Sequence, residues 1–118
     1  MINRVEANKY IGEALPELGD KTELIPENNV NVSVQALLDY TKAKTEGYEF
    51  DLVRKCFDVA EKLYLQGDGP VKAAIENVYV YSLDSLLCRA CKYKAELMNL
   101  IPASLHGAYI RQVLQSNV

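Results

Sequence analysis

Tryptophan is absent from this chain, histidine occurs once, at His106, and no apolar run approaches the roughly 18 residues that would suggest a bilayer span. Each shortage removes a class of function. A lone imidazole needs an orienting carboxylate and a nucleophile near it to do hydrolytic work, and neither a G-x-S-x-G segment nor an H-E-x-x-H pair accompanies His106. The acidic residues show no D-x-D-x-D-G metal-loop spacing. Positive charge is also scarce: 13 Lys and Arg against 16 Asp and Glu leave a net charge of −3, so the general basic footprint of a nucleic-acid binder is missing. Cysteine occurs three times, an odd number, and Met1-Ile2-Asn3-Arg4-Val5-Glu6 lacks the basic and then apolar segments of a secretion signal. Reduced thiols in the cytoplasm, no membrane span and no cofactor are the expectations.

What is present fits one helical domain over residues 1–118, since 118 residues and 49% hydrophobic content suffice for a single core. Charge is unevenly spread. Residues 1–61 carry 12 acidic and 7 basic side chains, giving −5, whereas residues 62–118 carry 4 acidic and 6 basic ones, giving +2. An acidic first half suits a cationic protein partner, because complementary fields speed encounter and exclude wrong partners.

Apolar spacing predicts a first helix over about Asn3–Leu15, with Ile2, Val5, Ile11 and Leu15 inward and Pro16 ending it. Glu17 to Asn31, broken by Gly19 and Pro26, reads as a long loop suited to binding. Ser33 then caps a second helix over Val34–Glu46, with Val34, Leu37, Leu38 and Thr41 as its stripe and Gly47 as its stop. In the third helix, Tyr48–Gln66, Phe50, Val53, Phe57, Ala60 and Tyr64 recur at helical steps. Leu52, Cys56, Val59 and Leu63 widen that stripe, which marks a central helix.

Gln66-Gly67-Asp68-Gly69-Pro70 punctuates the middle of the chain. Gly67 is suited to a left-handed helix end, Asp68 to an N-cap and Pro70 to a first turn. A phosphate loop would add a basic residue and follow a strand, whereas this turn follows a helix. A fourth helix runs from Val71 through Val78 to Leu86, a short one covers Lys94–Ile101, and Ser104 caps a last one from Leu105 to Gln115 with Leu105, Tyr109, Val113 and Leu114 inward. The expected fold is all-α, with five or six helices packed as antiparallel hairpins.

Two features carry candidate chemistry. Cys88-Arg89-Ala90-Cys91 has the C-x-x-C form and, with Cys56 and His106, could supply zinc ligands or a thiol pair. The motif falls at a helix C-terminus, however, where the dipole disfavours a thiolate. Eight tyrosines are more than a small core can bury with partners for every hydroxyl. Tyr79 and Tyr81 lie about 200° apart on a helix, so at most one faces inward.

The segments Leu63-Tyr64-Leu65-Gln66-Gly67-Asp68-Gly69-Pro70-Val71-Lys72-Ala73-Ala74-Ile75-Glu76-Asn77-Val78 and Glu96-Leu97-Met98-Asn99-Leu100-Ile101-Pro102-Ala103-Ser104-Leu105 together resemble small helical bacterial proteins of the toxin-immunity type. The resemblance covers the second half of the chain and carries no toxin-contact residue with it. It implies a cytoplasmic, non-catalytic protein that binds a cognate toxin, often a nuclease, and blocks it. With the acidic half and the surplus tyrosines, it leads to an expected contact set of Glu17, Asp20, Glu23, Glu27, Glu46, Glu49 and Asp51, with Tyr48 as an apolar anchor. The alternatives are a zinc- or thiol-dependent protein using Cys88 and Cys91, and a helical adaptor or self-associating subunit.

Overall fold

A reciprocal cap starts the first helix, α1 (Arg4–Ala14): the Asn3 side chain accepts the Glu6 amide at 2.9 Å, while the Glu6 carboxylate accepts the Asn3 amide at 3.3 Å. A computed structural model of the chain describes residues 1–19 and 29–116. After α1 and a 3-10 turn (Pro16–Leu18) come α2 (Val30–Glu46), α3 (Phe50–Gln66) and α4 (Gly69–Ala74). The last runs on as a π-helical segment, Ile75–Val80. Then follow α5 (Leu83–Ala90), a 3-10 turn (Cys91–Tyr93), α6 (Lys94–Leu100) and α7 (Ala103–Ser116). The fold is all-α, as the sequence predicts. None of the helices is long and apolar enough to cross a membrane among the described residues.

The two long helices α2 and α3 form the centre. Helix α2 packs against α1, α3, α4, α5 and the π-helical segment, and α3 against α1, α2, α4, α6, α7 and the same segment. Val34, Leu37, Leu38 and Thr41 of α2 are buried, as are Val53, Cys56, Phe57, Val59, Ala60, Leu63 and Tyr64 of α3. The broad apolar face read from the sequence of α3 is therefore touched on several sides.

Several expectations need correcting. Helix α2 starts four residues before Val34, because Asn29 rather than Ser33 is its cap. The Asn29 side chain accepts the Val32 amide at 3.3 Å, and the earlier start buries Val30. Ser33 lies inside the helix, buried, with its hydroxyl donating to Asn8 Oδ1 at 2.9 Å. Helix α2 therefore begins within the segment expected to be a loop, and residues 20–28 lie outside the described set. Gly67 is extended (φ −70°, ψ 151°), not left-handed. It is needed for space: a Cβ there would collide with the Leu63 carbonyl oxygen and lie 2.6 Å from Val71 Cγ1. The N-terminal segment pairs with this turn in a single parallel bridge, with the Ile2 amide donating to Gln66 O at 2.7 Å and the Asp68 amide to Ile2 O at 2.8 Å. Asp68 does cap α4, accepting the Val71 amide at 3.1 Å.

The fourth helix is not continuous. Its π-helical turn accommodates the bulky run Val78-Tyr79-Val80 by inserting a residue, which keeps Ile75, Tyr79 and Val80 in register with the core. Tyr79 is fully buried and Tyr81 is 76% exposed, so the pair divides as the helical angle demands. Helix α7 begins at Ala103 instead of being capped by Ser104, whose amide donates to Glu61 Oε1 at 3.1 Å. Leu105 and Tyr109 are buried and Val113 half-buried, but Leu114 points outward, as does Val5 in α1.

Candidate functional site

The connection between α2 and α3 is only three residues long, and its backbone conformation is set by hydrogen bonds at the end of α2. The Tyr48 amide donates to Thr45 O at 3.1 Å and the Glu49 amide to Lys44 O at 2.9 Å, the paired bonds of a Schellman helix end. That motif places the residue after the cap in the left-handed region, where glycine is preferred. Here Gly47 is the cap (φ −84°), and Tyr48 takes the left-handed place with φ 59°. The glycine stands one position too early to relieve the strain. A bulky side chain is held where a hydrogen atom would be cheaper by about 1 kcal/mol.

Tyr48 is 61% exposed, and two other rings brace its own. Its centroid lies 5.1 Å from that of Tyr93 and 6.3 Å from that of Phe50, and Phe50 and Tyr93 are 5.6 Å apart. The interplanar angles of 86°, 65° and 72° make all three contacts edge-to-face. Tyr93 comes from the turn between α5 and α6, so a distant segment fixes the anchor. Beside this turn is an open concavity of about 470 Å³ lined by Tyr48, Glu49, Phe50, Asp51 and Leu52.

The structure brings part of the expected acidic set together around this turn. Glu46, Glu49 and Asp51 are exposed beside Tyr48, and Glu17 reaches the same place from the 3-10 turn after α1. Lys44 lies between two of them, with its ammonium 3.5 Å from Glu17 Oε2, 3.3 Å from Glu49 Oε2 and 5.3 Å from the Tyr40 ring centre. Its hydrogen bond to Glu49 holds the Lys44 pKa above its usual value. Glu17 and Glu49 are thus partly neutralised within the protein. Asp51 has no ion-pair partner among the described residues. Asp20, Glu23 and Glu27 lie outside the described residues.

Neither Lys44's bridging place nor the bracing by Tyr93 was read from the sequence. Lys44 sits at an ordinary i,i+4 spacing from Tyr40, and nothing local marks Tyr93 as a neighbour of a residue 45 positions earlier. A second groove, about 430 Å³, also escaped sequence reading; it runs between the π-helical end and α7 and is lined by Val80, Tyr81, Asp84, Ser85, Tyr109, Gln112 and Val113. Tyr109 donates to Asp84 Oδ1 at 2.8 Å there, and burial together with that carboxylate pushes its phenol up to about 12. Gln112 Nε2 donates to the Glu76 carbonyl at 2.9 Å, which also accepts the Tyr81 amide at 3.2 Å.

Cys56 is buried within α3, and burial raises its thiol to about 11, which makes it inert at neutral pH. Cys88 is exposed on α5, and the side chain of Cys91 lies outside the described set. Among the described residues no three His, Cys, Asp or Glu side chains are grouped to hold a metal ion.

No curated protein and no solved structure matches the chain. A family model described as a domain of unknown function, DUF7674, matches residues 8–115, which include the α2–α3 turn and its bracing residue Tyr93, and the chain belongs to that family.

Proposed function

We propose that the protein is a non-catalytic binding module that docks a cognate protein partner on the α2–α3 turn and neutralises it, in the manner of a bacterial toxin-immunity protein acting in the cytoplasm. One observation carries the reading: Tyr48 occupies a left-handed position that favours glycine, although the residue is largely exposed to solvent. Strain at an exposed aromatic residue contributes little to the core, and such strain is characteristic of contact sites. Exposed Glu46, Glu49 and Asp51 flank the ring and suit a basic partner. The resemblance of Leu63–Val78 and Glu96–Leu105 to immunity proteins supports the class of protein but not the contact surface, since both segments form scaffold: the α3–α4 turn and the α6–α7 break.

The test is co-expression with the product of the neighbouring gene, followed by binding kinetics. Changing Glu46, Glu49 and Asp51 together to Lys should slow association about tenfold at low salt and reduce its salt dependence. Unchanged association rates would remove this surface from the account.

A further inference from the structure

Helix α7 is held in two different ways along its length. Up to Tyr109 it is anchored by apolar burial, with Leu105, Ala108 and Tyr109 all buried. Beyond Tyr109 no described side chain is buried: Ile110, Arg111 and Leu114 are exposed, and Gln112 and Val113 are half-buried. Polar bonds hold this part instead. The Tyr109 hydroxyl donates to Asp84 Oδ1 at 2.8 Å, Arg111 to the Tyr64 hydroxyl at 2.8 Å and Gln112 Nε2 to the Glu76 carbonyl at 2.9 Å. The three partners belong to three different elements: α5, α3 and the π-helical segment. Each such bond holds less firmly than a buried leucine, because its groups exchange protein for water when it breaks.

We infer that the C-terminal half of α7 is a latch, which opens as one unit about Gly107 and is closed by these three bonds. Gly107 stands inside the helix and is exposed. A Cβ there would meet nothing within 4 Å apart from its chain neighbours and the local helix backbone, so no close packing requires glycine. The residue nevertheless weakens the helix at that turn relative to alanine. It thus places a soft point directly before the segment that apolar burial holds least. Opening withdraws Tyr109, Gln112 and Val113 from one side of the 430 Å³ groove and leaves Val80, Tyr81, Asp84 and Ser85 as an uncovered surface. It also releases the Tyr64 hydroxyl from Arg111. Segments that move in function come from the low-stability end of a fold, and few buried apolar contacts is the structural mark of that end.

The test is native-state amide exchange of the full chain, followed by NMR at increasing urea below the unfolding transition. Amides of residues 111–115 should exchange through one shared opening with little urea dependence. Corrected for intrinsic rates, they should exchange at least about tenfold faster than the α3 amides of residues 57–63. Tyr109→Phe and Gln112→Met should each speed exchange over residues 111–115 about fivefold. Gly107→Ala should slow it about threefold. Val34→Ala, in the core on α2, separates the latch from the whole fold: it should speed the α3 amides at least about tenfold and leave residues 111–115 unchanged. Rates that climb steadily toward Ser116 and ignore Tyr109→Phe would be ordinary fraying of a helix end, and would overturn the inference. An equal response of residues 111–115 and α3 to Val34→Ala would overturn it too, because α7 would then open only with the whole protein.

Discussion

The Tyr79 hydroxyl lies 2.9 Å from Thr41 Oγ1 in the middle of the core, joining the π-helical segment to α2. The direction of this bond follows from its neighbour. Thr41 gives its single proton to the Leu37 carbonyl at 2.8 Å, so Tyr79 must be the donor and Thr41 the acceptor. Burial raises the Tyr79 pKa, which keeps the phenol protonated for that role.

The two ends of this bond should therefore respond differently to mutation. Tyr79→Phe removes a donor and leaves Thr41 still bonded to Leu37, which should cost about 1 kcal/mol. Thr41→Val leaves a buried phenol without an acceptor and should cost about 2 kcal/mol. The double variant should fall short of the sum. Urea unfolding of the three variants measures each value, and a smaller loss for Thr41→Val than for Tyr79→Phe would contradict the assigned direction.

Tyr48→Gly should separate stability from function. Removing the left-handed strain returns about 1 kcal/mol, while losing the ring contacts with Phe50 and Tyr93 gives back a similar amount. The unfolding free energy should thus stay within about 1 kcal/mol of the parent. Phe57→Ala, in contrast, empties a fully buried site and should cost about 3–5 kcal/mol. A Tyr48→Gly loss as large as that of Phe57→Ala would show that the ring serves the core.

Gly67 and Gly69 stand two residues apart and should behave in opposite ways. Gly67→Ala meets the Leu63 carbonyl and Val71, both fixed by the packed turn, and should destabilise by about 3 kcal/mol. Apart from its chain neighbours an alanine at Gly69 meets nothing within 4 Å at the first turn of α4, and with the following Pro70 limiting the gain it should stabilise by at most about 0.5 kcal/mol. Thermal melts of the two variants check both signs. If both destabilise equally, the steric account of Gly67 fails.

Alkaline pH should weaken the fold through groups whose pKa values are raised on folding. Cys56 moves to about 11 and Tyr109 to about 12, and Tyr79 is raised as well. Each group stays protonated in the folded protein after its unfolded counterpart has ionised. Stability is therefore intact below about pH 9 and declines as pH rises through 10 toward 12. Tyr109→Phe should make the decline shallower, since it removes one of the groups with a raised pKa. Urea midpoints at pH 8, 10 and 11 would test this, and a midpoint constant to pH 11 would count against it.

The sequence made some of this legible and hid the rest for physical reasons. The stripe from Val53 to Tyr64, the Asp68 cap and the division of Tyr79 from Tyr81 depend on local periodicity and capping chemistry, and all three could be read directly. Asn29 and Ser33 are equally good caps, so the start of α2 was decided by the burial of Val30, which is a tertiary effect. Gly67 was read for its backbone freedom, whereas the fold uses its lack of a side chain against Val71 and the Leu63 carbonyl. The acidic residues around the turn were identifiable from charge alone. Lys44 between Glu17 and Glu49, and Tyr93 behind Tyr48, were not, because both depend on chain segments meeting across the fold.

The central claim is that the turn carrying Tyr48 is where a protein partner binds. Hydrogen-exchange footprinting of the complex with the neighbouring gene's product tests it most directly. The account predicts new protection over residues 44–52 and around Tyr93, lost in Tyr48→Asn. Protection confined to the groove around Tyr81 and Asp84, or no complex with that product, would contradict it.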